Sequence, residues 1–191
     1  TAVLLLLGAA LSACSTGASL IRQDIRSGLV PGAYVDAVPF EPQKESACGP
    51  SALASLLGHW GRHVSQDEIS AILLPPGAKA VSGFSLWRYA RKAGLASLQA
   101  PGLTPEALDG LLAQDVPVIL ELDEVNGEAK RQHYVLAVGH DRARGFWVIQ
   151  DGRKADAVLA ESWLKERWEA SGRWALVAFP PEKAVTGLGA A

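Results

Sequence analysis

Residues 43–61 read QKESACGPSALASLLGHWG, in which a cysteine stands immediately before Gly-Pro and an apolar run. Pro50 suits the first turn of a helix, because its missing N–H is not needed there and its fixed φ is already helical. Apolar side chains then recur at i, i+3, i+4 and i+7, the spacing of one buried helical face. They are Leu53, Leu56, Leu57 and Trp60. The stretch therefore predicts a helix over residues 51–60, with Cys48 at or just before its N-terminus.

The predicted position of Cys48 has a chemical consequence. Unpaired N–H groups and the positive end of the helix macrodipole favour a thiolate over a thiol at a helix N-terminus. A thiolate at this place would be a nucleophile. The alternative interpretation is that Cys48 is a small buried hydrophobic residue, as free cysteines often are.

The first fourteen residues, TAVLLLLGAALSAC, are typical of an export signal. Their apolar run is too short to span a membrane, and it ends in small residues. Residues 11–14, LSAC, resemble a bacterial lipobox, in which the cysteine is diacylated and becomes the mature N-terminus. We therefore expect a lipoprotein signal peptide over residues 1–14 and lipidation of Cys14. The alternative is an incidental cysteine in an apolar N-terminal helix or strand.

The lipobox resemblance implies a protein of the bacterial cell envelope that is anchored to the membrane by lipid and faces the periplasm. Ser15, rather than Asp, follows the cysteine, which favours the outer over the inner membrane. Because no Met and no basic segment precede the apolar run, we expect the natural N-terminus to lie upstream of Thr1. A lipid on Cys14 would leave Cys48 as a single free thiol in an oxidising compartment, which is a liability unless it is used.

The composition is that of one globular domain with short extensions, since 49% of the 191 residues are hydrophobic and 20% are charged. The formal net charge is −2, and no stripe of Lys and Arg is interleaved with aromatic residues. Nucleic acid is therefore disfavoured as a partner. The sequence has no Cys/His metal spacing, P-loop or dinucleotide fingerprint, so we expect no metal and no cofactor. The oligomeric state stays open.

A cysteine nucleophile needs a base, and the chain has four histidines. His59 and His63 follow the far end of the predicted helix and are expected at the surface or at its cap. His133 begins HYVLAVGHDRARGFWVIQDG, whose two β-rich runs around the polar turn HDRARG predict an antiparallel hairpin. A turn centred in that polar segment places His133 opposite Asp151, with both side chains on one face. An imidazole beside a carboxylate is the pair that an oriented general base requires.

Two further polar residues, His140 and Asp141, belong to the predicted turn itself. We expect them to be loop residues without a catalytic role.

Together these motifs resemble the bacteriocin-processing leader peptidases, cysteine peptidase family 39 of the papain-like clan. The resemblance lies in PQKESACGPSALASLLGHWG, in HYVLAVGHD beginning 85 residues after the cysteine, and in the following IQDG. The resemblance spans roughly residues 37–181. Within the family, the sequence is most similar to stand-alone lipoprotein members, which end in a strand like GRWALVAFPP. The implied activity is hydrolysis of peptide bonds in a peptide or protein substrate.

The resemblance also implies a role for each site residue. Cys48 would be the nucleophile, His133 the general base and acid, and Asp151 the residue that orients His133. Gln43 would take the place of the oxyanion-hole glutamine, beside the backbone N–H of Cys48.

Helical patterns fill the N-terminal half of the chain, and strand patterns follow Pro117, which is an α+β arrangement. With the resemblance, this predicts a papain-like fold whose N-terminal helical part packs on a C-terminal antiparallel sheet. The expected domain organisation is a signal peptide over 1–14, a tether over 15–36, a peptidase domain over 37–182 and a tail over 183–191.

Two other classes of function use the same residues or the same fold. One is a papain-like amidase, transglutaminase or acyltransferase that acts on a non-peptide acyl donor. The other is an inactive, lipid-anchored binding protein on a decayed peptidase fold. The sequence does not identify the substrate.

Overall fold

The computed structural model describes residues 17–75, 77–78, 80–126 and 129–188. Within these residues the chain forms six helices and seven strands. The helices are α1 (Gly17–Arg26), α2 (Cys48–His59), α3 (Gln66–Leu73), α4 (Gly83–Lys92), α5 (Pro105–Leu112) and α6 (Glu161–Ala170). The strands are β1 (Gly32–Tyr34), β2 (Ala96–Gln99), β3 (Val118–Asn126), β4 (Ala129–Asp141), β5 (Phe146–Gln150), β6 (Ala157–Ala160) and β7 (Ala175–Phe179).

The strands make one antiparallel sheet in the order β2-β7-β3-β4-β5-β6, and β1 pairs with β4 outside this path. The C-terminal strand β7 therefore lies inside the sheet, between β2 and β3. The predicted hairpin of β4 and β5 is present, and β3 pairs with the other edge of β4. β1 and β2 fall in segments for which the sequence predicted no strand.

Alternating side chains give the sheet two buried faces. On β4, Tyr134 and Leu136 face a cluster that includes residues of α1, α2, α3 and α4. Val135 and Ala137, one position along, face a second cluster that includes residues of α5 and α6. This alternation is the period-two pattern of a strand that is covered on both sides. The predicted α+β arrangement of helices on an antiparallel sheet is confirmed, with helices on both faces of the sheet.

The helix α2 is more deeply buried than its single predicted stripe indicates. Every residue from Gly49 to Leu57 is buried, because α2 packs on β3 and β4 and is also contacted by α3 and α4. Small residues on the side away from the leucine stripe allow this close approach, and they include Ala52, Ala54 and Ser55. The helix also begins earlier than predicted, at Cys48 itself.

The structure replaces the predicted tether over residues 15–36 with ordered elements, as far as this segment is described. Ala18 and Ile21 of α1 are 1% and 4% exposed, and they belong to the same cluster as α2. Asp24 forms an ion pair with Arg144 of the β4–β5 turn. Two buried apolar side chains one helical turn apart make α1 amphipathic, so it docks on the domain instead of linking to it.

Val185 and Leu188 pack on the second cluster, so the predicted tail over 183–191 also contacts the domain where it is described. Residues 1–16, with the predicted lipidation site Cys14, lie outside the described residues. Among the described residues, no helix has the length and apolar character needed to cross a membrane.

Candidate active site

Cys48 is the first residue of α2, and it is a free cysteine that is partly exposed. The rest of the helix up to Leu57 is buried, so Cys48 stands where the helix emerges from the core. The N-cap residue, Ala47, offers no side-chain hydrogen bond to the first turn. The first-turn amides are therefore free of a competing side-chain cap, which is the arrangement expected of an oxyanion or thiolate site.

Gly49, the residue after the cysteine, has a steric role. A Cβ at this position would lie 2.4 Å from Cγ2 of Val81 and 3.2 Å from Cδ2 of Tyr134. Real Cβ atoms do not approach another carbon to 2.4 Å. The Cys-Gly pair therefore reflects close packing of the helix start against Val81 and Tyr134.

The β4–β5 hairpin differs from the predicted register because its turn lies further along the chain, with Asp141 paired to Phe146 next to it, and a β-bulge interrupts the ladder. The pairing shifts between Ala137 and Gly139, and the last pair of the ladder is Leu136 with Gln150. Asp151 therefore lies beyond the end of the ladder, instead of opposite the first residue of the HYVLAVGHD run. A bulge inserts one unpaired residue into a strand, and the apolar pattern of this strand does not indicate it.

His133 and Asp151 nevertheless come together, through a different atom from the predicted one. His133 is 8% exposed, and its Nε2–H donates to the main-chain carbonyl oxygen of Asp151 over 3.1 Å. The Asp151 carboxylate is engaged elsewhere, because its Oδ1 accepts from the amides of Arg153 at 2.7 Å and Lys154 at 2.6 Å. The side chain thus closes a tight turn, and the main chain contacts the imidazole.

Gln43 is brought to the same turn. Its backbone N–H donates to the carbonyl oxygen of Gly152 over 2.7 Å. Its side-chain Oε1 packs so closely on Gly152 that a Cβ there would lie 2.4 Å from it. Among the described residues, this buried Oε1 has no hydrogen-bond partner. Gln43, His133 and Asp151 therefore form one cluster around the 151–152 turn.

Tyr134 packs on the start of the cysteine helix, and it was not among the predicted site residues. Its ring packs on Gly49 and meets Trp174 edge to face, with ring centroids 5.7 Å apart. Burial raises the pKa of the Tyr134 hydroxyl. The charge of Glu121 and its hydrogen bond with Tyr134 raise this pKa further, and the nearby Cys48 adds a smaller electrostatic contribution. Its place directly after His133 in the HY pair was the available signal, because neighbouring strand residues take opposite faces.

Glu121 is the polar partner of this tyrosine. Burial raises the pKa of its carboxyl group, while the hydrogen bonds from Tyr134 and Gln132 favour the charged form. The distance from Gln132 Nε2 to Glu121 Oε1 is 2.8 Å. A half-buried, hydrogen-bonded carboxylate therefore lies on the same side of the sheet as Tyr134, which packs on the start of α2.

The other predicted polar positions are structural. His140 and Asp141 were expected in the turn, but both lie at the end of β4 and are 7% and 0% exposed. The Nδ1–H of His140 donates to Oδ1 of Asp109 over 2.9 Å, and its ring stacks on Trp147 at 3.8 Å. The turn is shorter than predicted because β4 extends to pair with β1.

His59 and His63 differ from each other in burial. The side chain of His59 is 7% exposed, and burial lowers its pKa. His63 is exposed, as expected. The described structure gives neither of them a contact with the cluster around Asp151.

The comparison with known families decides the classification. The model of the Peptidase_C39 like family matches residues 35–176, well over half of the chain. The chain belongs to this family. The match confirms the resemblance stated from the sequence, and it includes all four residues proposed for the C39-like site.

Solved structures similar to this C39-like chain have the same fold. A protein described as a C39-like peptidase from Bacillus anthracis has a TM-score of 0.64 at 16% identity, covering 82% of this chain and 100% of that one. The peptidase domain of ComA, a bifunctional ABC transporter from Streptococcus, has a TM-score of 0.61 at 20% identity, covering 75% and 98%.

A third structure was solved with a peptide. It is a double glycine motif protease from an AMS/PCAT transporter in complex with the leader peptide, with a TM-score of 0.56 at 19% identity. It covers 78% of this chain and 94% of that one. A search of curated proteins found no match. The family match supports a cysteine peptidase, and these structures show the fold that the chain shares with them.

Proposed function

We propose that the protein is a cysteine peptidase that hydrolyses peptide bonds with Cys48, His133, Asp151 and Gln43. The observation that carries the proposal is the position of Cys48. It is the partly exposed first residue of an otherwise buried helix, in a chain of the C39-like family. Helix α2 packs on β4, the strand that bears His133. A helix N-terminus stabilises the anionic form of a thiol, which is the attacking species.

The contact between His133 and Asp151 defines the tautomer of the imidazole. A carbonyl oxygen only accepts hydrogen bonds, so the Nε2 atom that contacts it carries the hydrogen. In the neutral ring the lone pair then belongs to Nδ1. Nδ1 is therefore the atom of His133 that takes the thiol proton of Cys48.

Hydrolysis then proceeds in two balanced steps. The sulfur of Cys48 forms a bond to the substrate carbonyl carbon, and the C–N bond breaks as the protonated His133 gives its proton to the leaving amine. Water next attacks the thioester while Nδ1 takes one of its protons, and that proton returns to the departing sulfur. The carboxylic acid product leaves, and thiol and imidazole are restored.

Negative charge develops on the carbonyl oxygen of the substrate in both steps. We propose that the backbone N–H of Cys48 and the side-chain amide N–H of Gln43 stabilise this oxygen. Two features support this role: Ala47 provides no competing side-chain cap, and Gln43 is held at the 151–152 turn by its own backbone.

The proposed substrate is a peptide or a peptide segment of a protein. Support comes from the similar double glycine motif protease that was solved with a leader peptide. Cleavage after small residues such as Gly-Gly is the first specificity to test. Peptides that carry Gly-Gly, Ala-Ala or Leu-Leu before the scissile bond measure it directly.

We further propose that a lipid on Cys14 anchors the protein to a bacterial membrane, facing the periplasm, with the outer membrane favoured. The support is the LSAC stretch at residues 11–14. Helix α1, which packs on the domain, follows Cys14 closely in the sequence. Substrate bonds close to the membrane surface would then be the accessible ones.

Two experiments test these proposals. Mass spectrometry of new N-termini in cells that carry wild type or Cys48→Ala should find cleavage products that depend on the thiol. If the two strains give the same products, the peptidase proposal is wrong. For the anchor, Cys14→Ser should lose palmitate labelling and membrane association, and normal labelling of this variant would contradict it.

A further inference from the structure

The turn that follows β5 offers two consecutive carbonyl oxygens to the site. The carbonyl of Asp151 accepts from Nε2 of His133 at 3.1 Å, and the carbonyl of Gly152 accepts from the backbone N–H of Gln43 at 2.7 Å. One hydrogen bond thus reaches the proposed base and the other reaches the proposed oxyanion residue. Two adjacent peptide units position both groups.

We propose that the main chain of the Asp151–Gly152 turn, and not the Asp151 carboxylate, orients His133 and sets its position relative to Gln43. This inference rests on the proposed function, because it concerns how the same site is assembled. It makes Asp151 a positioning residue that acts through its backbone.

The Asp151 carboxylate closes the turn that follows β5. Its Oδ1 accepts two backbone amides, those of Arg153 and Lys154. The Asp151 N–H also donates to the Lys154 carbonyl at 3.4 Å, which closes the same turn. An aspartate that bonds the amide two residues on is the usual closure of an Asx turn. Its charge is thereby satisfied by the turn, while the carbonyl is directed at His133.

The backbone conformation of Gly152 directs the carbonyl of Asp151. The carbonyl of Asp151 belongs to the peptide unit that ends at the nitrogen of Gly152, so φ at residue 152 orients this unit relative to the chain that follows. That φ is +79°, a conformation that residues with a Cβ rarely adopt. A Cβ would also lie 2.4 Å from Gln43 Oε1. Glycine is therefore required both by the direction of the carbonyl and by the position of Gln43.

The test uses three replacements of Asp151 that differ in their ability to close the turn. Asn supplies a neutral oxygen of the same reach, Ser a shorter hydroxyl and Ala nothing. We expect Asp151→Asn to keep at least about a tenth of the wild-type kcat, and Asp151→Ala to lose about 10²-fold, with Ser between them. The size of this loss does not separate the two arrangements, because an asparagine orients the histidine in papain-like proteases, and the pH dependence is therefore the deciding readout.

The pH dependence of kcat/KM gives a readout that folding alone does not move. If the carbonyl orients His133, the limb that reports the imidazole shifts by less than about half a pH unit in Asp151→Asn. If the carboxylate is the partner, loss of its charge shifts that limb by about one unit or more. Asp36→Asn, which removes a partly exposed carboxylate paired with Arg26, is the matched control and should leave the profile unchanged.

A measurement without substrate separates this inference from the proposed function. The ¹⁵N chemical shifts of the His133 ring report the tautomer, and we expect the Nε2–H form in wild type and in Asp151→Asn. Loss of that form in Asp151→Asn overturns the inference, even if Cys48→Ala shows that hydrolysis needs the thiol. Hydrolysis that survives Cys48→Ala overturns the proposed function, whatever the tautomer.

Discussion

The backbone N–H of Gln43 donates to the carbonyl oxygen of Gly152 over 2.7 Å, which joins the segment before the cysteine helix to the turn after β5. This bond needs no side chain. The amide group of Gln43 is therefore available for catalysis without being needed for the fold, and the two roles are separable by mutation.

Replacing Gln43 with Ala should consequently lower kcat by roughly 10²- to 10³-fold, because one donor to the oxyanion is lost. The melting temperature should change little, since the bond to Gly152 is kept. Steady-state kinetics and thermal unfolding measure the two effects. Gln23→Ala, an exposed change on α1, is the control. An unaltered kcat would show that another group completes the oxyanion hole.

The reactivity of Cys48 can be measured without a substrate. Iodoacetamide should alkylate Cys48 rapidly at pH 7, because the residue is partly exposed at a helix N-terminus. His133→Ala should slow this reaction at pH 7 without abolishing it, since the helix is retained. Peptide mapping by mass spectrometry gives the rate at this residue. Superimposable rate–pH curves for the two proteins would mean that Cys48 and His133 are not a pair.

Gly49→Ala should destabilise the fold by about 1–3 kcal/mol, because the new methyl group overpacks the helix start against Val81 and Tyr134. Gly110→Ala is a matched control within α5, where a Cβ would meet nothing within 4 Å. That change should be neutral or stabilise by about 0.5–1 kcal/mol. Urea unfolding gives both values, and equal effects at the two glycines would contradict the packing described for Gly49.

The docking of α1 predicts a difference between neighbouring positions. Ile21→Ala should cost about 2–5 kcal/mol of unfolding free energy, because Ile21 is 4% exposed in the main cluster. Leu20→Ala should have little effect, since Leu20 is 46% exposed. Urea midpoints at constant m-value make the comparison. If Ile21→Ala also has no effect, residues 17–26 behave as the tether that the sequence suggested.

Local signals in the sequence were sufficient for most elements. The capping box of Ser65 and Glu68 starts α3, and Thr104 caps α5 before Pro105, and both starts have a recognisable sequence signal. These signals work because caps and period patterns act within a few residues of the chain. The helix of Cys48 and the strand of His133 belong to the same class. The family resemblance then supplied the proposed roles.

Contacts between distant segments were not predictable in this way. The carboxylate of Asp151 was expected to face His133, but the ladder ends at Gln150 and the Asx turn engages the carboxylate, so the carbonyl lies there instead. The position of the β4–β5 turn depends on a partner outside the hairpin, because β1 pairs with β4 from Gly139 to Asp141 and extends it. The apolar pattern of the two strands does not indicate this partner.

The sequence by itself determined the class of fold and the types of chemical group. A thiol at a helix N-terminus, an imidazole on a strand and a glutamine before the helix follow from short-range patterns and from the family motif. The tertiary structure alone decided which atoms meet: the carbonyls of residues 151 and 152 with His133 and Gln43, and α1 with the core. The reason is physical, because hydrogen-bond partners and buried faces are selected by the packing of segments that lie far apart in the chain.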